Sequence, residues 1–357
     1  MSGHFDRARA KAFAGTMTDV MNGGALALMC SIGHRTGLFD AMATMEAATA
    51  DEVAAESELH PRYVKEWLSA MTMGGIIDHD VESETFHLPP EHAGLLTRAA
   101  GPLNLTTFCQ YIGLLGEVED DVVEAFRNGG GVPYDRYPKF TGLMDESSGQ
   151  RYHHTLIDQV VPLLGGAEQF ESGIDVADVG CGSGLALSIL GSAYPNSRFV
   201  GYDFGEQGVA AARARTAEAG LTNVDFEVRD AAELGEVDRF DLVTTFDAIH
   251  DQARPREVLS GINRALRPGG TYLCVEPKAS SCLHENHDLP MAPLVYTIST
   301  MHCMTVSMAY GGPGLGTAWG EGMAMEWLGD AGFVDIESSG IRDDRGNSYF
   351  LSRKAGS

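Results

Sequence analysis

A short apolar run followed by three closely spaced glycines decides the fold. The stretch reads Val176, Ala177, Asp178, Val179, Gly180, Cys181, Gly182, Ser183, Gly184. The run predicts a buried strand, and glycines at every second position predict a sharp turn that a ligand can approach closely. Residues 185–193 then carry the pattern of a helix. A strand, a glycine-rich turn and a helix in this order are typical of the ligand-binding corner of a doubly wound α/β domain.

Strand and helix patterns alternate through the rest of the second half. Strands are predicted at 176–179, 197–202, 224–228, 240–246, 271–275, 333–338 and 347–353, and helices at 185–193, 208–219, 256–266 and 323–331. The alternation predicts a parallel sheet with right-handed crossovers, and hence a Rossmann-like α/β fold.

The first half has the element order of a winged helix. A helical pattern over 9–29 precedes a short helix at 51–56, a second helix with Pro61 in its first turn, and a hairpin over 76–88. We predict three parts: a helical, winged-helix-like domain at 1–98, a helical connector and loop at 99–150, and an α/β domain at 151–357. An insert at about 278–322 is too long for a plain connection.

The charge of the chain argues against a nucleic-acid partner. The 357 residues contain 25 Lys and Arg against 50 Asp and Glu, a net charge of −25 that is spread over both halves. The helix that would enter DNA offers only Arg62 and Lys65, and Glu66 offsets them. We therefore predict a dimerisation module. A ligand-sensing transcription regulator is the alternative, because the winged-helix order is present.

Several other classes of protein do not fit the sequence. No signal-peptide layout and no apolar run of about 20 residues is present, which excludes a membrane partner, and six scattered cysteines without a C-x-x-C pair suit reduced thiols. We therefore expect a cytoplasmic protein. His284, Asn286, His287 and Asp288 have no second ligand pair at a metal-binding spacing, so no metal is predicted.

Three acidic residues stand at the ends of successive predicted strands. Asp178 precedes the glycine turn, Asp203 lies at the end of the second strand, and Asp230 at the end of the third. Asp203 is placed to accept hydrogen bonds from ribose hydroxyls, and Asp230 from an adenine amino group. Asp178 would repel a pyrophosphate but tolerate a cationic sulfonium, and Leu185 breaks the dinucleotide pattern. An NAD-dependent enzyme is thus disfavoured.

Taken together, these motifs resemble those of class I S-adenosylmethionine-dependent methyltransferases. The resemblance rests on 176–184, on Asp203, on the pair Asp230 and Ala231, and on 267–270 before the fifth strand of the domain. With its helical front, the chain is similar to bacterial small-molecule methyltransferases of O-methyltransferase-like architecture. The resemblance implies a seven-stranded sheet, a homodimer formed through the N-terminal domain and S-adenosyl-L-methionine as cofactor.

The resemblance also assigns site residues. The implied cofactor-binding residues are Asp178, Gly180, Gly182, Gly184, Asp203, Phe204, Asp230, Ala231 and Phe246. His250 is the predicted base or acceptor-orienting residue, because a histidine titrates near neutral pH and because His250 with Asp251 resembles the His-Asp pair of aromatic O-methyltransferases.

The predicted acceptor is a small, aromatic or apolar molecule. The predicted acceptor-binding residues are Tyr134 and Tyr137, in the loop that follows the three glycines at 129–131, and His302, in the insert. Oxygen is the favoured acceptor atom, and a ring nitrogen or an indole-type carbon is the alternative.

Overall fold

The computed structural model describes residues 5–356, and residues 1–4 and 357 of the predicted first and last domains lie outside this range. The chain forms two compact units, residues 1–116 and 117–357. The division falls inside the predicted connector, 99–150. No helix within the described range has the length and apolar character that crossing a bilayer requires.

The first unit contains six α-helices, one 3-10 helix (Arg98–Leu103) and one hairpin among its described residues. The α-helices and strands are α1 (Arg7–Arg35), α2 (Leu38–Met42), α3 (Ala50–Glu56), α4 (Pro61–Met73), β1 (Asp78–Asp80), β2 (Thr85–His87), α5 (Pro90–Leu96) and α6 (Thr106–Gly116). Strands β1 and β2 pair antiparallel. The predicted order of helix, helix and hairpin is confirmed.

Local sequence explains the two short winged-helix helices. Thr49 and Glu52 form a reciprocal capping box at the start of α3, and Pro61 occupies the first turn of α4, where its missing N–H costs nothing. Trp67 is buried and its indole N–H donates to the Met29 carbonyl at 2.8 Å, which ties α4 to α1. From the sequence, the helical spacing of Tyr63, Val64, Trp67, Leu68 and Met71 predicts one apolar stripe on α4, but Tyr63 is 78% exposed, so the prediction is wrong for this residue.

The second unit begins with helices that precede the sheet. They are α7 (Glu119–Asn128), α8 (Phe140–Thr155), α9 (Val161–Leu163) and α10 (Ala167–Ser172), with a π-helical turn (Leu156–Val160) between α8 and α9.

Seven strands and six further helices complete the second unit. The strands are β3 (Asp175–Val179), β4 (Arg198–Asp203), β5 (Val224–Val228), β6 (Phe240–Phe246), β7 (Leu266–Pro277), β8 (Phe333–Ile341) and β9 (Asp344–Lys354). The helices are α11 (Leu185–Ala193), α12 (Glu206–Glu218), α13 (Pro255–Ala265), α14 (Ala292–Ile298), α15 (Met304–Ala309) and α16 (Glu321–Asp330).

The strands form one sheet in the order β5-β4-β3-β6-β7-β9-β8. The five strands from β5 to β7 in this order are parallel, and β9 pairs antiparallel with both β7 and β8. The predicted seven-stranded Rossmann-like fold is therefore confirmed. The chain moves outward from β3 to β5 and then returns to β6 on the other side of β3. Such a switch point opens a crevice at the carboxyl ends of β3 and β6.

Apolar side chains cover both faces of the sheet. On one face Tyr202, Tyr272 and Phe350 pack with α13 and α16, and on the other Phe199 and Tyr349 pack with α11 and α12. These side chains are almost fully buried. The packing fixes the strand ends that carry the site.

The predicted insert is helical rather than a plain loop. Helices α14 and α15 are joined by a π-helical turn (Ser299–Cys303). The loop that follows the three glycines at 129–131 is hydrogen-bonded to this segment. The Val132 N–H donates to Thr305 Oγ1 at 3.0 Å, and the Tyr137 hydroxyl donates to the Met301 carbonyl at 2.6 Å.

Gly131 allows this loop to approach α15. A Cβ atom at Gly131 would lie 1.9 Å from the Thr305 carbonyl oxygen, which belongs to backbone and cannot easily move. We expect Gly131→Ala to lower the free energy of unfolding by about 1–3 kcal/mol through overpacking. Thermal unfolding would measure the loss.

The matched control is Gly142→Ala on α8, where an added Cβ meets nothing within 4 Å. Because alanine favours the helix interior, this change should leave stability equal or raise it by up to about 1 kcal/mol. Equal unfolding temperatures for the two variants would contradict the close-approach explanation.

Candidate active site

A cleft of about 920 Å³, including its open mouth, lies at the carboxyl ends of β3, β4 and β6. Its walls come from the glycine turn, from the segment after β6, and from α8 with the loop before it. Among the predicted cofactor residues, those that line it are Asp178, Gly180, Gly182, Asp203, Phe204, Ala231 and Phe246. Tyr134 and Asp251 line it as well.

The three glycines of the turn have different roles. Gly180 has a φ of 79° and lies so close to Ala248 that an added Cβ would be 2.6 Å from the Ala248 Cβ. Gly182 has a φ of 52° and open space where its side chain would be. Gly182 therefore exposes its backbone to a ligand. Gly184 instead caps α11, and Phe226 fills the space beside it.

Asp203 is held by the backbone of the turn. One carboxylate oxygen accepts from the Gly182 N–H at 2.8 Å and the other from the Gly205 N–H at 2.7 Å. Burial raises the pKa of Asp203, and these two hydrogen bonds oppose the rise. Each oxygen keeps a lone pair free for a ligand hydroxyl.

Two further carboxyl groups, the buried Asp178 and the half-buried Asp251, face the same cleft. Burial raises the pKa of Asp178 to about 7, with Asp203 adding to the rise and a hydrogen bond from Thr244 opposing it. Burial also raises the pKa of Asp251 to about 7, where the positive charge of His250 opposes the rise and Asp203 adds to it.

This arrangement selects for the charge of the ligand. The charge of Asp203 raises the pKa of both Asp178 and Asp251, so it disfavours the ionisation of these two carboxyl groups. A cationic group in the cleft would relieve that repulsion, whereas a pyrophosphate would add to it. The cleft therefore suits a neutral or cationic nucleoside.

Helix α8 forms the wall opposite the strand ends, and sequence reasoning missed its polar residues. Asp145 accepts from Ser183 in the glycine turn and pairs with Arg215 on α12. Arg151 pairs with Asp247 at 3.1 Å, and Asp247 Oδ1 has no hydrogen-bond partner among the described residues. The positive φ of Asp247, 54°, is a second mark of a constrained position.

His250 is buried beside this cleft and pairs with Glu276 rather than with Asp251. His250 Nδ1 lies 2.6 Å from Glu276 Oε2, and Trp319 Nε1 donates to the same oxygen at 3.0 Å. The Ile249 N–H donates to the other oxygen at 2.9 Å. Sequence reasoning missed Glu276, although its place at the end of β7 was a usable signal. The carboxylate orients the imidazole and fixes its tautomer.

The Glu276 carboxylate also affects the charge of the His250 imidazole. Burial lowers the pKa of His250, but the Glu276 carboxylate outweighs burial and raises that pKa well above its usual value. Cys303, in the π-helical turn, contributes to the rise and also accepts a hydrogen bond from Thr317 at 3.1 Å. The ring therefore holds its proton to higher pH than an ordinary histidine does, and it can accept a proton from a substrate only in its deprotonated form.

The predicted acceptor residues lie in one aromatic cluster. His302 stacks on Phe140 with ring centroids 3.7 Å apart, and the rings of Tyr134 and Tyr137 meet His302 edge-on at 5.8 and 4.7 Å. Tyr134 also contacts Phe204 at 5.5 Å. The cluster therefore adjoins the cleft through Tyr134, which lines it.

Some predicted residues lie apart from the cleft. Asp230 caps a short 3-10 turn by accepting from the Ala232 N–H at 2.8 Å, and it pairs with Arg254 on the surface. His284 and His287 are exposed. Among residues 5–356, no group of three His, Cys, Asp or Glu side chains could hold a metal ion.

Two family models match the chain. A model described as an Rv2258c-like winged HTH domain matches residues 24–98, and one described as a methyltransferase domain matches residues 170–323.

Curated relatives match part of the chain. A demethylmenaquinone methyltransferase from Lactococcus lactis is 31% identical over 107 residues, 29% of this chain and 42% of that protein. A fatty-acid O-methyltransferase from Mycolicibacterium smegmatis is 31% identical over 167 residues, 45% of this chain and 54% of that protein. The chain thus spans about half the length of these relatives.

A solved structure matches nearly the whole chain. Human N-acetylserotonin methyltransferase in complex with S-adenosylmethionine has a TM-score of 0.64 at 18% identity, covering 99% of this chain and 100% of that one. At this identity the likeness concerns the fold. The chain therefore belongs to the class I S-adenosylmethionine-dependent methyltransferase fold, in a form with an N-terminal Rv2258c-like winged HTH domain.

Proposed function

We propose that the protein transfers a methyl group from S-adenosylmethionine to a small, aromatic or apolar acceptor, with oxygen as the favoured acceptor atom. The observation that carries this proposal is the pairing of two features at one sheet edge. A cleft lined by the three carboxyl groups of Asp178, Asp203 and Asp251 adjoins a buried His250–Glu276 pair. The first suits a cationic nucleoside, and the second suits removal of a proton.

The cleft residues fit S-adenosylmethionine, which when bound supplies a methyl group on a sulfonium cation. The Asp203 carboxylate would accept from the ribose hydroxyls. Gly180 and Gly182 would allow the methionine part to approach the backbone, with Asp178 near its charged groups. Phe204, Ala231 and Phe246 would border the adenosine.

The proposed role of His250 is to remove the proton of the acceptor. A phenol must lose its proton as its oxygen attacks, and a base near the attacking oxygen assists this loss. Glu276 orients the ring through Nδ1 and would stabilise the imidazolium that forms. The same pair would serve a ring nitrogen or an indole-type carbon, so the atom methylated is identified from the product.

The cofactor assignment is tested with Asp203→Asn. We expect the Kd for S-adenosylmethionine to rise about 10- to 100-fold, because a charged hydrogen-bond partner is lost and the new NH₂ group cannot accept from Gly182 or Gly205. Isothermal titration calorimetry measures the change.

Asp225→Asn is the control, because Asp225 lies exposed on β5. We expect the Kd of this variant to stay within about twofold of the wild-type value, which is a smaller change than the loss of a charged hydrogen bond would cause. A wild-type protein that binds neither S-adenosylmethionine nor S-adenosylhomocysteine would refute the proposed function.

The proposed base is tested by removing its ring and its partner. His250→Ala should lower kcat at least about 100-fold while cofactor binding persists. In Glu276→Gln the pKa of His250 should fall, because the carboxylate that raises it is gone. A base acts when deprotonated, so the rise of kcat/KM with pH should move to lower pH in this variant.

The readout is S-adenosylhomocysteine release across a pH series with an acceptor found in a metabolite screen. Glu285→Gln, at an exposed glutamate of the insert, is the matched control and should keep the wild-type profile. Full turnover by His250→Ala would remove His250 from the reaction.

We also propose a homodimer formed through the first unit. Helix α1 exposes apolar side chains to solvent over much of its length. The exposed fractions are 62% for Phe13, 42% for Met17, 60% for Val20, 64% for Met21 and 44% for Leu28. A surface of this kind is typical of a protein interface.

Val20→Glu should therefore weaken self-association, because it would bury a charge in the interface. Light scattering should give twice the chain mass of 38.2 kDa for the wild type and a concentration-dependent shift toward one chain mass for the variant. Met73→Glu, at an 85% exposed methionine on α4, is the control. A wild-type protein that is monomeric at all concentrations would contradict the proposal.

A further inference from the structure

His302 is a buried polar side chain whose ring nitrogens lack hydrogen-bond partners among the described residues. It is 1% exposed, and neither of its ring nitrogens has a hydrogen-bond partner among residues 5–356. Buried polar groups are nearly always hydrogen-bonded, because they have given up their bonds to water. A phenylalanine would pack against the neighbouring rings without that cost. The imidazole therefore calls for a role beyond packing.

The ring is neutral and held in place. Burial, together with a smaller contribution from the positive charge of His250, lowers the pKa of His302 to about 3. A neutral imidazole offers one N–H donor and one nitrogen acceptor. The stack with Phe140 and the edge contacts of Tyr134 and Tyr137 fix its plane. Its position in a π-helical turn is typical of functional segments.

His302 is linked by its neighbours to both the cleft and His250. The ring of Tyr134, which lines the cleft, contacts the ring of His302, and Cys303, the next residue in the chain, interacts with the side chain of His250. The Tyr137 hydroxyl already donates to the Met301 carbonyl. His302 therefore retains free hydrogen-bonding capacity within this aromatic cluster.

The surrounding charges disfavour an acidic acceptor. Tyr134 lines the cleft together with Asp203 and Asp251, so the ring that joins the cluster to the cleft lies near two carboxyl groups. Burial raises the pKa of Tyr134, and these two carboxyl groups add to the rise. A carboxylate on the acceptor would meet these carboxyl groups with no cationic partner from His302.

We propose that the acceptor is a neutral, planar aromatic molecule with two oxygen groups: a hydroxyl that is methylated beside His250, and a second hydroxyl or carbonyl that hydrogen-bonds to His302. This inference rests on the proposed methyl transfer. In the reaction the hydroxyl oxygen forms a bond to the methyl carbon as the carbon–sulfur bond breaks, and its proton passes to His250. The products are a methyl ether and S-adenosylhomocysteine.

Three matched probes test the second oxygen group. Catechol carries two hydroxyls, phenol carries one, and salicylate carries a hydroxyl and a carboxylate. Dissociation constants are measured by calorimetry on protein saturated with S-adenosylhomocysteine, and turnover is measured with S-adenosylmethionine. We expect catechol to be favoured over phenol by about tenfold, the worth of one ordinary hydrogen bond, and salicylate to bind more weakly than phenol.

Variants of His302 assign the preference to this ring. His302→Phe keeps the aromatic stack, so it should fold with an unfolding temperature equal to or above that of the wild type. It should bind phenol as the wild type does and lose the catechol preference. His302→Asn and His302→Gln return an amide near the Nδ1 or the Nε2 position, and one of them should restore part of the preference. His284→Phe, at an exposed histidine of the insert, is the control.

The outcomes separate the two proposals. Failure to bind S-adenosylmethionine overturns the proposed function. A protein that binds the cofactor but shows no preference for catechol over phenol, or prefers salicylate, overturns the acceptor class. A His302→Phe variant that folds and keeps the full catechol preference removes His302 from acceptor binding.

Discussion

The site depends on the repulsion that the Asp203 carboxylate exerts on two other carboxyl groups at the carboxyl end of β3 and after β6. Asp178, Asp203 and Asp251 all face one cleft, and burial raises the pKa of each, with the charge of Asp203 adding to the rise at Asp178 and Asp251. Such a cluster lowers the stability of the empty fold as pH rises, because each group must ionise where ionisation is unfavourable. The backbone N–H groups of Gly182 and Gly205 offset part of this at Asp203. A cationic ligand would offset more, so binding and stability are linked.

The His250–Glu276 pair differs from these carboxyl groups, because the charges of its two side chains compensate each other. Glu276 at the end of β7 accepts from His250, Trp319 and Ile249, so both of its oxygens are satisfied. A carboxylate held in this way stays fixed and imposes one orientation on the imidazole. His250 and Asp251 are adjacent in sequence but turn toward different surroundings: Asp251 lines the cleft, and His250 packs against the insert through Cys303. The segment after β6 thus joins the cleft to the His250–Glu276 pair.

Much of the α/β domain could be predicted from the sequence, because strand ends and glycine turns are local signals. Asp178 and Asp203 were found because strand ends meet at one edge of a parallel sheet, but the same rule failed to predict that Asp230 would pair with Arg254 at the surface. Glu276 and Asp145 were missed because their partners, His250 and Ser183, lie 26 and 38 residues away in sequence and only the fold brings them together. Tyr63 fits the helical spacing of its neighbours and yet is exposed, since spacing does not set how wide the buried stripe of α4 is.

The first unit shows how a fold can keep an element order while its surface chemistry changes. In a DNA-binding winged helix the second helix and the wing carry cations that neutralise phosphates. Here Arg62 on α4 pairs with Glu66, and β1 with the turn after it exposes Asp78, Asp80 and Glu82. An approaching duplex would meet negative charge at the wing and a compensated ion pair at the helix. The exposed apolar residues of α1 offer a better source of binding free energy, because burying them requires no desolvation of charge. The physical chemistry of this unit therefore favours association between protein surfaces over association with nucleic acid.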